Sequence, residues 1–233
     1  MPITEVGGGS QRATAIANNV DSTTIVFPAN VVVDNLLVCG GAAWKSVAAT
    51  SITVTDTRST AYTVFSVTIG ASVRLWIAYG LAPSSGACTV TVNPEGTGTY
   101  IACAIDEFSG VHLTTPLDVD GGSSTGTSTT PSDSLTTLVA NDLLLGVVSH
   151  SDISTVAITP GGAYTQIGEY EDSVVTVAYN FEYRLVTAAQ VYAVDWTFAS
   201  SQTWAAYTAA FQPAAAAAVA PIPASPLVGN LRW

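Results

Sequence analysis

The sequence predicts an all-β protein, an antiparallel jelly-roll-like β-sandwich that carries an extended Pro-rich carboxyl-terminal arm. Three observations predict it. Thr, Val, Ser, Ile, Tyr and Trp dominate short alternating runs that Gly, Pro, Asn and Asp separate. Helical periodicity with capping signals is nowhere convincing. The 233 residues are 48% hydrophobic and only 10% charged, enough apolar material to bury a sizeable core and too much for a globally disordered chain.

In chain order, residues 1–20 place acids and amides among small polar residues and are expected to form a flexible amino-terminal segment without the continuous apolar core of a secretory signal. Strands are expected over 23–27, 35–44, 51–57, 62–68, 73–81, 88–92, 100–108, 142–149, 174–183, 192–198 and 203–211. Alternation is clearest in SITVTDT and ACTVTVN, where Val54, Val90 and Val92 face one side and threonines the other. Residues 119–134, nearly all Gly, Ser, Thr, Asp and Pro, cannot bury apolar surface and are expected as a surface excursion or an edge segment.

An internal echo subdivides the body, 21–212. Asp34-Asn35-Leu36-Leu37-Val38 is answered by Asn141-Asp142-Leu143-Leu144-Leu145, and Thr99-Tyr100-Ile101-Ala102 leading to Phe108 by Thr203-Trp204-Ala205-Ala206 leading to Phe211. With no linker dividing them, the two halves are expected to be related units sharing one core, the alternative being tandem β-domains. After Phe211 the text changes. Residues 213–233 hold five successive alanines, then Pro221, Pro223 and Pro226, which fix φ and remove backbone donors and so make an extended arm. The arm ends in Leu227, Val228, Leu231, Arg232 and Trp233. A frayed tail is one reading; the other is a docking peptide that inserts these residues into a neighbouring subunit.

Charge and reactive groups narrow the function. Six Lys+Arg stand against 17 Asp+Glu, and Lys45, Arg12, Arg58, Arg74, Arg184 and Arg232 are scattered, so the basic stripe that phosphate backbones require is missing and no direct nucleic-acid binding is expected. No stretch reaches the roughly 20 apolar residues of a membrane-spanning helix, and no membrane insertion is expected. Cys39, Cys88 and Cys103 lie in apolar text without a CxxC and read as buried free thiols, a chain folded in a reducing cytoplasm. His112 and His150 belong to no nucleophile signature. Asp106 and Glu107, adjacent on a strand, point to opposite faces and cannot line one cleft; Glu169 and Glu171 are the other carboxylate pair, and an enzyme is not expected. For a metal, Asp118 and Asp120 put two carboxylates on a Gly-rich turn of a kind that calcium accepts, but the spacing falls short of an EF-hand loop and favours a solvated Asx turn. No cofactor is expected. Trp44, Trp76, Trp196 and Trp204 sit in alternating apolar strands and read as core.

The order of motifs carries a resemblance. The Asp-Asn-Leu-Leu-Val strand at 34–38, Trp44, the LWIAYGLA strand at 75–82, the TVTVN strand at 89–93, Ile105-Asp106-Glu107-Phe108-Ser109-Gly110, Thr115-Pro116-Leu117-Asp118, Asn141–Gly146, Trp204-Ala205 and Phe211 together resemble a jelly-roll module of tailed-bacteriophage virion proteins and of some bacterial surface proteins. The likeness spans residues 20–212 and brings no catalytic residue with it. It implies a non-enzymatic structural protein, a capsid decoration (cement) or head-fibre subunit, carried on the virion surface after synthesis in the host cytoplasm. The partners it implies are its own copies, as a homotrimer, and the major capsid protein or other virion proteins. The alternative is a carbohydrate-binding adhesion module that recognises a host-surface glycan.

Overall fold

A computed structural model describes residues 2–46, 48–150, 156–171 and 177–215. In chain order its strands are β1 (Thr4–Glu5), β2 (Ala13–Val20), β3 (Thr23–Val26), β4 (Leu36–Trp44), β5 (Ile52–Asp56), β6 (Thr63–Ile69), β7 (Val73–Leu81), β8 (Thr89–Pro94), β9 (Thr99–Ser109), β10 (Leu117–Ser128), β11 (Ser132–Thr136), β12 (Leu143–His150), β13 (Ile158–Pro160), β14 (Thr165–Tyr170), β15 (Tyr179–Leu185), β16 (Val191–Phe198) and β17 (Gln202–Phe211). A 3-10 turn, Val6–Gly9, joins β1 to β2. No helix among the described residues is long and apolar enough to cross a membrane.

The alternation seen in the sequence decides which faces are buried. In β5 and β8, Ile52, Val54, Val90 and Val92 point inward while Thr53 and Thr55 face solvent, and Val54 pairs with Val92. The strands form two large sheets, β2-β9-β4-β7-β6 (with β1 extending β2 along β9) and β10-β17-β12-β15-β14, and two small ones, β3-β8-β5 and β11-β16-β13. All pairings are antiparallel. Counting β2 as first and β9 as eighth, the large sheet runs first, eighth, third, sixth, fifth and the small sheet second, seventh, fourth, which is jelly-roll-like winding with the fifth strand paired to the sixth instead of to the fourth. Strands β10 to β17 repeat that order without exception.

Each half is therefore a complete sandwich, which corrects the expectation of two half-units around one core. Eight strands suffice to cover both faces of a core. The first sandwich encloses Ile25, Leu37, Trp76, Val90 and Ile105 between its sheets, and the second encloses Leu144, Val148, Tyr164, Trp196 and Phe198. The large sheets then pack face to face and bury a third layer that includes Leu36, Leu75, Ile77, Phe108, Leu145, Phe181 and Phe211. Four sheets are stacked in sequence, small, large, large, small.

The central layer has near-twofold symmetry. Against the second large sheet, β9 touches β14 and β15, β4 touches β15 and β12, β7 touches β12 and β17, and β6 touches β17. Exchanging each strand for its counterpart eight places along the chain turns this set into itself, the signature of an isologous contact, while the further contact of β2 with β14 departs from the symmetry at the Arg12 end. Residue pairs obey the same rule. Leu36 is registered on Phe108 and Leu81, as Leu143 is on Phe211 and Leu185. Across the layer Phe108 meets Tyr183 at 5.1 Å between ring centroids and 68°, while its mate Phe211 meets Tyr79 at 4.8 Å and 71°. Asp34 and Asn141, which precede the matched strands, both take a positive φ, 69° and 67°, that short polar side chains tolerate.

Two expectations need amendment. Residues 4–5 and 13–20, expected as flexible, pair with β9 along its free edge, because leaving that edge of an eleven-residue buried strand open would strand its backbone polar groups. The tetrapeptide echo is also one residue out of register, since the Phe108 and Phe211 mates make Tyr100 the counterpart of Thr203. Residues 119–134 fall largely in β10, an edge strand that pairs only with β17.

Candidate functional site

The junction of the two large sheets has two ends related by the twofold, and they have diverged. At one end Arg12, just before β2, reaches across to the second sandwich. Its Nη1 donates to the Gln166 carbonyl at 2.8 Å and its Nη2 to the Tyr183 hydroxyl at 3.4 Å, while Nε donates to Asp106 at 3.2 Å and a further ion pair joins it to Glu5. The Tyr183 hydroxyl donates to Glu5 at 3.0 Å. Burial and a hydrogen bond shared with the Glu5 carboxyl push Asp106 up to about 8, against the pull of Arg12. This network latches the first sandwich to the second and fills its end of the junction.

At the twofold-related end the register puts Ala209 where Asp106 stands and Asp120, the residue paired with Ala209, where Arg12 stands, an acid in place of the cation. Without a latch, this end is open. Tyr79 and Thr63, the mates of Tyr183 and Thr165, line a groove of about 310 Å³ together with Ala61, Leu81, Leu113 and Pro116. No charged side chain lines it. Leu113, 52% exposed, belongs to the connection between β9 and β10 that forms one wall. That wall is pinned: Gln212 donates from its side chain to the Thr115 carbonyl at 2.7 Å and from its N–H to the Pro116 carbonyl at 2.9 Å. The last described residues are tied to the same wall, for Pro213 bridges to Val111 and the Ala214 N–H donates to the Gly110 carbonyl at 2.7 Å.

The carboxylates singled out in the sequence take structural partners. Asp106 faces the junction, whereas Glu107 turns to the opposite face and accepts from the Val32 N–H at 2.8 Å, Asn35 Nδ2 at 2.6 Å and Gln11 Nε2 at 2.8 Å. Asp118 accepts from the Leu138 N–H at 2.7 Å, and Asp142, buried and facing it, is pushed up to about 8 by burial and by that second carboxyl. Asp120 accepts from the Gly122 N–H at 3.0 Å, an Asx turn, and from the Tyr207 hydroxyl at 2.9 Å. Asp118 and Asp120 thus serve different neighbours, and among the described residues no group of three His, Cys, Asp or Glu side chains is placed to hold a metal ion. Glu169 is exposed, and Glu171 accepts from the Ile158 N–H and is raised by burial. Glu182, wholly buried on β15, is pushed up to about 9 by burial.

Cys39, Cys88 and Cys103 are free and buried in the first sandwich; burial pushes Cys88 up to about 12. Trp76, Trp196 and Trp204 are buried, and Trp44 is half-buried against Tyr100 at 5.5 Å. The docking residues Leu227, Val228, Leu231, Arg232 and Trp233, and Pro221, Pro223 and Pro226 with them, lie outside the described residues. Sequence reasoning passed over Arg12, Tyr79 and Leu113; the signal for the groove was the registered replacement of Arg12 by Asp120 and Asp106 by Ala209, which only the pairing of strands exposes. No family model matches the chain, and no curated protein matches it.

Proposed function

We propose that the chain is a non-enzymatic structural protein of a virus particle, a capsid decoration or head-fibre subunit of a tailed bacteriophage, displayed on the virion surface after synthesis in the host cytoplasm and assembled as a homotrimer on the major capsid protein. The observation that carries this reading is the end of the stack of four sheets at which an uncharged groove lies beside Pro213 and Ala214, the residues from which the Pro-rich segment continues. Such an end suits attachment. Engagement of Asp106, Glu107, Asp118 and Asp120 by structural partners also favours a scaffold over a catalyst. Purified particles analysed by mass spectrometry and immuno-labelling should contain the chain in stoichiometric amounts on the outer surface; particles that lack it overturn the reading. The half-buried Trp44–Tyr100 pair, at the far end of the first large sheet, favours the second reading of a glycan-binding module, which glycan-array binding lost on Trp44→Ala would support.

A further inference from the structure

We infer that the open groove at the junction is an acceptor for the carboxyl-terminal residues 227–233 of a second copy of this chain. Three features of the molecule lead there. The groove is uncharged and small: about 310 Å³ sits at the lower edge of sites that hold one ligand, which is room for a large aromatic and an aliphatic side chain and not for a whole strand. The donor is of matching character, since residues 213–233 contain no acid and a single cation, Arg232, while all 17 Asp+Glu belong to the body, so the terminus of one copy is drawn to the acidic surface of another. Leu227, Val228, Leu231 and Trp233 supply the apolar anchors.

Reach and direction select the second copy over the chain's own arm. The arm is rooted on the groove's wall, at Gly110 and beside Thr115. From Ala215 to Leu227 is twelve residues, which at about 3.1 Å per residue in the extended form that prolines favour carries the anchors roughly 37 Å from that root. An arm that filled its own groove would have to double back on itself through Pro221, Pro223 and Pro226. Passed forward, it meets the same groove on a neighbour, and passage from each copy to the next closes a ring. The twofold mate of the groove is occupied by Arg12, Glu5 and Asp106, so each copy accepts one arm.

The test uses the full chain. Leu113→Cys and Trp233→Cys are introduced together and mild oxidation is followed on a denaturing gel without reductant, the three native thiols being buried. Covalent species of two or more chains are expected, and neither single variant should give them. A disulfide closed within one chain, or no cross-link, overturns the inference. Independently, Leu113→Glu and Trp233→Ala should each weaken self-association by about tenfold or more in light scattering while the far-UV circular dichroism stays that of the parent; unchanged association overturns it. The inference stands apart from the particle reading. A chain that exchanges arms yet is missing from virions sinks only the latter, and a virion protein whose association ignores Leu113 and Trp233 sinks only the former.

Discussion

Three buried acids illustrate how differently single residues contribute. Glu107 accepts three hydrogen bonds, from the Val32 N–H, Asn35 and Gln11, and so holds the approach to β4 in place. Glu107→Ala would take the acceptor from the buried Asn35 amide and from the Val32 N–H and leave Gln11 with the Asn30 carbonyl alone, and is expected to cost about 2–3 kcal/mol in urea unfolding, with Glu107→Gln costing clearly less. Asp106 and Glu182 work the other way, because each is raised in the folded protein, to about 8 and about 9. Between about pH 4, where the unfolded carboxyls ionise, and pH 8 to 9, the folded state keeps protons that the unfolded chain has released. Their contribution is complete below that window and is lost as pH rises through it. Asp56, lowered by hydrogen bonds from Thr60, Tyr62 and Arg58, has the opposite sense and is lost only in acid. The urea midpoint should therefore be highest near about pH 4–5 and fall toward pH 9, and Glu182→Gln should flatten the slope; a midpoint that climbs with pH across this range would refute the assignment.

At the level of elements, the central layer was built by trading size across the twofold. Phe65 of β6 stacks on Tyr207 of β17 at 5.4 Å, and at the mated position Gly168 faces Ala104, so closely that a Cβ on Gly168 would lie 2.4 Å from it. Gly40 likewise makes way for the Phe181 ring, 2.9 Å from where its Cβ would be, where the mates are Val147 and Ile77. Gly40→Val should destabilise by about 1–3 kcal/mol, and adding Phe181→Ile, which installs the mated pair, should recover at least about 1 kcal/mol of it in a double-mutant cycle. Sequence made the eleven strands with Thr/Val alternation or continuous apolar text legible, and the DNLLV and NDLLLG turns betrayed the duplication because Asp34 and Asn141 do the same backbone job. It hid β1, β2, β10, β11, β13 and β14. In β2 and β10 the inward positions are Ala, Gly or Ser in good part, which carry no hydrophobic signal, and what makes β2, β10 and β14 strands is the unpaired edge of β9, β17 or β15 beside them. The groove was illegible for a related reason, being a consequence of which residues the register sets opposite one another.

For the whole molecule, three layers of core share strands, so the sandwiches should melt together. All three thiols lie in the first sandwich, whereas buried tryptophans lie in both, Trp76 in the first and Trp196 and Trp204 in the second, so thiol exposure reports one half and fluorescence the two together. Thiol exposure, tryptophan fluorescence and circular dichroism are expected to give one common urea midpoint, with no thiol reacting in the native state and three in the denatured; two separated transitions would show that the central layer couples the halves weakly. The same central layer has a consequence for synthesis. The first sandwich is complete once residue 110 has been made, and at about 5–20 residues per second the next hundred residues take roughly 5–20 s. During that interval the nascent chain displays Leu36, Val38, Leu75 and Ile77 as an uncovered apolar face whose proper cover is a near-copy of itself. Two ribosomes on one message thus present each other with almost the right partner, but a contact between two first halves would set Gly40 against Ile77 and Phe65 against Ala104, losing the fit that Gly40 makes with Phe181 and Phe65 with Tyr207 and so disfavouring the wrong pairing.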